Sequence, residues 1–373
     1  AGTVAERCKM EAYLCYSFML SAFVYPVVNH SIWNGDGFLS CAADPRPIFD
    51  IGMIDFAGSG VVHMTGGCTA LIAAIILGPR QGRFHDSDGN VLPEPATFAA
   101  HSVSLQVLGT FILWVGWYGF NPGSTLGIID GTGAYADQAG LCAITTTLAA
   151  SMGCVSALFT DTILGIVKTG EAEYDLTFAM NGALSGLVAI TAGCSVVTPW
   201  AACVIGLIGG WVYVGASKLL ITLKIDDAVD AIPVHFFNGM WGCLAVGLFA
   251  EPNRTLSVYA DFKHFGWFYS WGRNSGDFQL FIVQFIGILW IIGWVVATMA
   301  PFFFILNFLG MFRVDALEEE VGLDISHHRG AAYDMTGPSK EDIDELVARR
   351  ATAHGKVEVP VEVTETIEQA DNV

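Results

Sequence analysis

The sequence predicts an all-α polytopic membrane protein, a helix bundle of about eight transmembrane helices carrying an acidic tail. Three observations predict it. The 373 residues are 53% hydrophobic and only 14% charged, against roughly 25% charged in a soluble chain. Eight apolar segments each approach or exceed the roughly 20 residues that cross a hydrocarbon core. The formal net charge of −19 is unevenly spread: residues 312–373 hold 15 Asp/Glu against 6 Lys/Arg, a net of −9.

The apolar segments run over residues 12–33, 51–78, 104–121, 138–165, 177–195, 200–223, 231–250 and 279–310. Lipid offers no partner to backbone N–H and C=O groups, so each must be a helix. A barrel needs alternating segments of about ten residues, which are absent. The 42 glycines include small-xxx-small pairs such as Gly182 and Gly186, which let helices approach closely in a bilayer. The chain opens with Ala1 and a polar stretch to Met10, without a signal peptide. This opening suggests a chain truncated at its amino terminus.

Charge divides the sequence into a membrane domain, residues 1–311, and an acidic cytoplasmic tail, 312–373. Arg7, Lys9, Arg80, Arg83, Lys168, Lys218, Lys224 and Arg313 fall on alternate connections; Arg46, Arg254, Lys263 and Arg273 fall on the others. Eight against four places the first set, and the tail, in the cytoplasm. The acceptor patterns Asn29-His30-Ser31 and Asn253-Arg254-Thr255 then fall outside. Residues 339–350 have helical spacing, and 351–373 read as disordered. Such acidity excludes nucleic acid as a partner. The nine cysteines form no CxxC or zinc pattern, so no metal or other cofactor is expected. GxSxG and HExxH are absent, which argues against a membrane hydrolase.

Few titratable residues lie within the apolar segments: Asp55, His63 and His235, with Asp161 near a segment end. Each is costly in lipid and marks a functional position. His63 lies in the second segment and His235 in the seventh. An offset of five suggests two inverted five-helix halves, the first incomplete, with the histidines meeting at the midplane. In a continuous helix Asp55, eight residues before His63, would stand roughly 12 Å away toward the outer end. A carboxylate at the mouth and imidazoles within suit a cation that is attracted and then stripped. Equally, Asp55 can serve as a hydrogen-bonded helix cap. Trp33 can be an interfacial anchor or a cation receptor.

Three stretches carry a family resemblance: Asp55 to His63 (DFAGSGVVH), Gly116 to Ser124 (GWYGFNPGS) and Asp226 to His235 (DDAVDAIPVH). They resemble signatures of the ammonium transporter/methylammonium permease/Rhesus family, in its plant and algal branch. Ala1–Arg7 is similar to the end of the family's third helix, and Gly322–Gly330 to its cytosolic regulatory region. The resemblance covers residues 1 to about 335. It implies eleven helices in the complete protein, of which this chain lacks the first two and most of the third, and a homotrimer with one pore per subunit in the plasma membrane. It implies that Trp33 and Ser124 recruit ammonium at the outer mouth, with Thr191 a polar neighbour and Asp55 the essential aspartate. Phe120 matches the inner member of the pore gate, and His63 and His235 the twin pore histidines. Asn181 stands where some relatives have serine. Ser326 takes the position of a regulatory phosphothreonine.

These residues imply transport of ammonium or ammonia through a hydrophobic pore. A bare ammonium ion in a dry passage costs tens of kcal/mol in the idealised limit, so selection belongs at the mouth and deprotonation precedes conduction. Both imidazoles are expected uncharged, with a shared N–H···N bond between them. Sensing through the tail and cation-channel activity are the competing readings.

Overall fold

The computed structural model describes residues 1–129, 132–272 and 275–328. Expectations for 339–350 and 351–373 lie outside the described residues. The chain divides into two compact units, Ala1–Gly322 and the remainder from Leu323.

Eight long helices build the first unit, each within a few residues of its apolar segment apart from the start of the second. They are α1 (Met10–Trp33), α2 (Ser59–Leu77), α3 (Val103–Phe120), α4 (Ala134–Thr169), α5 (Leu176–Thr191), α6 (Pro199–Thr222), α7 (Ile232–Phe249) and α8 (Gln279–Phe308). Seven are long and apolar enough to cross a membrane; α5, at 16 residues, is shorter. Among the described residues there is no strand. The protein is an integral, multi-pass, all-helical membrane protein.

Local chemistry sets the ends. Ser102 accepts the Leu105 N–H at the start of α3, and Asp175 accepts the Thr177 N–H at the start of α5, the usual service of short polar side chains at an N-cap. Pro199 opens α6, where a missing N–H costs nothing. Glycines in left-handed conformation follow α2 (Gly78) and α4 (Gly170). The 36 residues of α4 make it about 54 Å long, more than a bilayer core requires.

Helices α4, α5 and α6 pack into a tight trio. At Gly186 an added Cβ would run into the Ala149 carbonyl of α4, and at Gly182 into Ala157 and the Gly153 carbonyl. The small-xxx-small pair therefore does what the sequence suggested. The acceptor pattern at Asn29 lies within α1, where Ser31 is buried and holds the Trp290 indole.

Four of the arginines assigned to one side by sequence meet at one end of the bundle. Arg80 grips Asp226 through Nε (2.8 Å) and Nη2 (2.9 Å), and Arg83 stands 3.5 Å from the same carboxylate. Arg7, fully buried, donates to the carbonyls of Gly78 (2.8 Å) and Asp226 (2.7 Å). Arg313 donates to the carbonyls of Leu77 and Pro79 and pairs with Glu319, each at 2.8 Å. Two arginines thus answer carbonyls that the end of α2 leaves open. The same bonds hold Ala316–Val321, capped by Asp315, inside the first unit. Of the second unit, the described part is the short helix Leu323–His328, with Ser326 exposed.

Burial alone would raise the Asp226 carboxyl, but the hydrogen bonds and charge of Arg80, backed by Arg7, hold it below its ordinary value. A depressed carboxyl stabilises the fold above the unfolded-state value near 3.9, and that contribution is lost as pH falls through the folded value. The thermal unfolding midpoint should therefore fall on acidification below about pH 4. Asp226→Asn should lower the midpoint at neutral pH and flatten that acid limb. A variant that matches the wild type at both pH values would contradict the bridge.

Candidate functional site

The segment before α2 is not helical, contrary to the continuous helix assumed from its apolar length. Gly58, at φ +108, breaks the chain immediately before Ser59. Glycine suits the position twice over. It tolerates the left-handed backbone, and an added Cβ would meet the Trp33 ring at 3.2 Å and Val62 at 2.7 Å. A helix that begins inside a bundle presents N–H groups that no upstream turn can satisfy. Asp55, only 2% exposed, answers them: Oδ1 accepts from Gly58 (3.0 Å), and Oδ2 from Gly60 (2.9 Å) and Val61 (2.8 Å). The Asp55 carbonyl in turn accepts the Trp33 indole N–H at 2.6 Å. Ser59 ties the break to α5, donating to the Val188 carbonyl and accepting the Ala192 N–H, both at 2.7 Å.

A second break precedes α7. Asp227 accepts the Ile232 N–H at 2.6 Å and the Val229 N–H at 3.3 Å. Asp230, in left-handed conformation at φ +56, accepts the hydroxyls of Tyr213 (2.8 Å) and Ser217 (3.1 Å). Both α2 and α7 then open with a widened π-helical stretch of six residues, Ser59–Met64 and Ile232–Phe237. Such turns depart from regular geometry and cluster at functional sites. The spacing repeats as well: His63 lies eight residues after Asp55, and His235 eight after Asp227. Gly58 and Asp230, each three residues after its capping aspartate, are the left-handed residues of the two breaks.

The two histidines come together. Their ring centroids lie 5.2 Å apart with planes inclined by 11°. The Trp117 ring also lies 5.1 Å from His63, inclined by 12°, and Phe120 lies at 5.6 Å. The expected hydrogen bond between the imidazoles is not formed among the described residues. His63 Nε2 and His235 Nδ1 are instead both buried without a hydrogen-bond partner. Buried polar atoms are normally satisfied, so these two ring nitrogens are exceptions, each free of any protein partner among the described residues.

Known proteins similar to this chain identify its family. A family model described as the Ammonium Transporter Family matches residues 1–333. The chain belongs to the ammonium transporter family. It is similar to ammonium transporter 1 member 1 of rice (Oryza sativa subsp. japonica), at 43% identity over 340 residues, 89% of this chain and 65% of that one. It is similar to ammonium transporter 1 member 2 of Arabidopsis thaliana at 41% identity, covering 89% and 63%. The chain thus spans slightly less than two thirds of the length of these relatives. Among solved structures, one named "Sensor Amt Protein" superposes with a TM-score of 0.69 at 32% identity, over 88% of this chain and 72% of that one. Mep2 of Candida albicans gives 0.67 at 26% identity, over 83% and 61%.

In this ammonium transporter family chain, the remaining expected site residues group around the same centre with different degrees of commitment. Trp33 and Ser124 are half-buried, and Ser124 donates to the Phe120 carbonyl at 2.8 Å, which fixes the turn following α3. Thr191 is fully buried. Its hydroxyl donates to the Leu187 carbonyl (2.7 Å) and accepts the Trp117 indole N–H (3.0 Å). Its immediate task is therefore to hold the ring that lies beside His63. Asn181, half-buried, donates to the Tyr213 hydroxyl at 3.2 Å. Ser326 belongs to the second unit. No cluster of three or more His, Cys, Asp or Glu suited to a metal occurs among the described residues.

Two residues were not singled out from the sequence beyond their place in the family-like stretches. Trp117 is 7% exposed and beside the histidine. The spacing of Asp227 to His235 repeats that of Asp55 to His63.

Thr191→Val should strand the buried Trp117 N–H and cost about 1–3 kcal/mol of stability. In a Trp117→Phe background, which has no indole N–H, the same change should be nearly neutral. Thermal unfolding of the four proteins measures the coupling; strictly additive effects would contradict the bond.

Proposed function

We propose that this protein transports ammonium or ammonia across the membrane, past His63 and His235, with cation recruitment at an outer site and deprotonation before passage. The observation that carries the reading is the imidazole pair beside Trp117 and Phe120, each ring holding one buried nitrogen without a partner. Family membership supports the substrate.

The chemistry follows from desolvation. Ammonium cannot enter an apolar passage as an ion without a cost of tens of kcal/mol in the idealised limit. At the mouth, the Trp33 face offers a cation–π contact worth roughly 0.5–2 kcal/mol. Ser124 supplies a hydroxyl oxygen that accepts an N–H. Potassium carries the same charge but no hydrogens to donate, so a hydrogen-bonding site favours ammonium. Asp55 contributes its negative charge from behind the α2 N-terminus, without direct contact. Below Phe120, ammonia is small and neutral, and the partnerless ring nitrogens can exchange a donor and an acceptor with it. The same pair can carry the released proton.

The protein acts as a homotrimer in the plasma membrane, with the tail in the cytoplasm and Ser326 as its phosphorylation position. These features follow the family pattern, and the exposed Ser326 is compatible with modification.

Methylammonium uptake by cells lacking their own ammonium uptake, expressing the full-length protein, tests the reading. The wild type should take up the analogue with weak competition from potassium. His63→Ala or His235→Ala should alter rate and selectivity strongly while the protein still inserts. Unchanged uptake and selectivity in both variants would remove the histidines from the pathway. Ammonium binding without uptake would favour a sensor, the reading suggested by the similarity to the protein named "Sensor Amt Protein".

A further inference from the structure

Helix α8 carries no charge over its 30 residues, yet one polar side chain on it is completely buried. Gln284 Oε1 accepts the Ile54 N–H at 2.8 Å, and Nε2 donates to the carbonyls of Ile54 (2.7 Å) and Cys243 (2.9 Å). It meets Ile54 as a neighbouring strand would, supplying a donor and an acceptor to one residue that has no helical partner for either. Ile54 immediately precedes Asp55. The other bond reaches α7, eight residues after His235.

The surroundings leave little slack. The Met53 side chain presses on Gly287, one turn along α8, and an added Cβ at Gly60 would meet Cys243 at 2.9 Å and Ile291 at 3.1 Å. A leucine or methionine would fill the Gln284 volume without an amide to satisfy. The carboxamide does what hydrocarbon cannot: it fixes the height of an irregular segment. The next residue, Asp55, holds both the α2 N-terminus through its carboxylate and the Trp33 indole through its carbonyl.

We propose that Gln284 is a positioning residue for the outer cation site, holding Asp55 and thereby Trp33 so that it sets affinity and discrimination against potassium rather than the rate of passage. The inference rests on the conduction reading given above. Small displacements of such constellations are expensive, because positioning groups act through distance and orientation.

The test compares wild-type full-length protein with Gln284→Met, which keeps the volume and loses all three bonds, and Gln284→Glu, which is nearly isosteric and loses the amide donor. For methylammonium uptake normalised to surface protein, KM should rise about tenfold in the Met variant, with a maximal rate within about threefold. Inhibition by potassium should deepen, and the Glu variant should fall between. In parallel, the ammonium concentration giving half-maximal thermal stabilisation of purified protein should rise about tenfold in the Met variant.

An unchanged KM with a reduced maximal rate would overturn the proposal, as would failure of both variants to reach the membrane, which would make Gln284 a folding residue. A wild type that binds ammonium but takes up no methylammonium would strike the conduction reading alone. The binding shift would still decide Gln284.

Discussion

A helix that starts inside a membrane bundle must find partners for its first N–H groups, and lipid has none to give. That constraint shapes the centre of this protein. Asp55 accepts two such groups of α2, from Gly60 and Val61, and that of Gly58 just before it; Asp227 accepts one of α7, from Ile232, and that of Val229 in the turn before it. With these carboxylates in place the chain can be broken at the same point in two helices. Each break is followed by a widened turn that carries a histidine. The meeting of His63 and His235 is a consequence of the two caps.

On the proposed reading the caps also separate charge from the passage. Asp55 is buried and spent on backbone amides, so on that reading it biases the outer mouth without offering an oxygen to bind an ion tightly. Aromatic rings lie beside His63, and one ring nitrogen of each histidine is buried without a protein partner. On the proposed reading this combination admits a neutral, hydrogen-bonding molecule and rejects a bare cation. Residues further out serve by holding others. Thr191 holds Trp117, Ser124 holds the turn after Phe120, and Gln284 holds the segment leading to Asp55.

Much of the fold was legible because lipid imposes a simple rule on composition: every apolar segment became a helix, and α3 to α8 begin and end within about four residues of expectation. The histidines were legible because titratable residues in lipid are rare. Residues 52–58 were misread because an apolar run does not distinguish helix from extended backbone buried in protein. Only the pattern Asp-x-x-Gly, repeated as Asp-x-x-Asp before the second histidine, marks the breaks. Trp117 and Gln284 were not singled out because a search for titratable residues passes over indoles and amides. The imidazole hydrogen bond was inferred from proximity, whereas the near-parallel rings make no such bond.

If the Asp55 cap fixes the histidine pair, replacing it must move them. In a structure of full-length Asp55→Asn, where the side chain offers one carbonyl oxygen and an NH2 group in place of two acceptors, the first turn of α2 should fray, the Trp33 indole should leave the residue-55 carbonyl, and His63 should shift from its 5.2 Å separation from His235. An intact first turn with the rings still at that separation would contradict it.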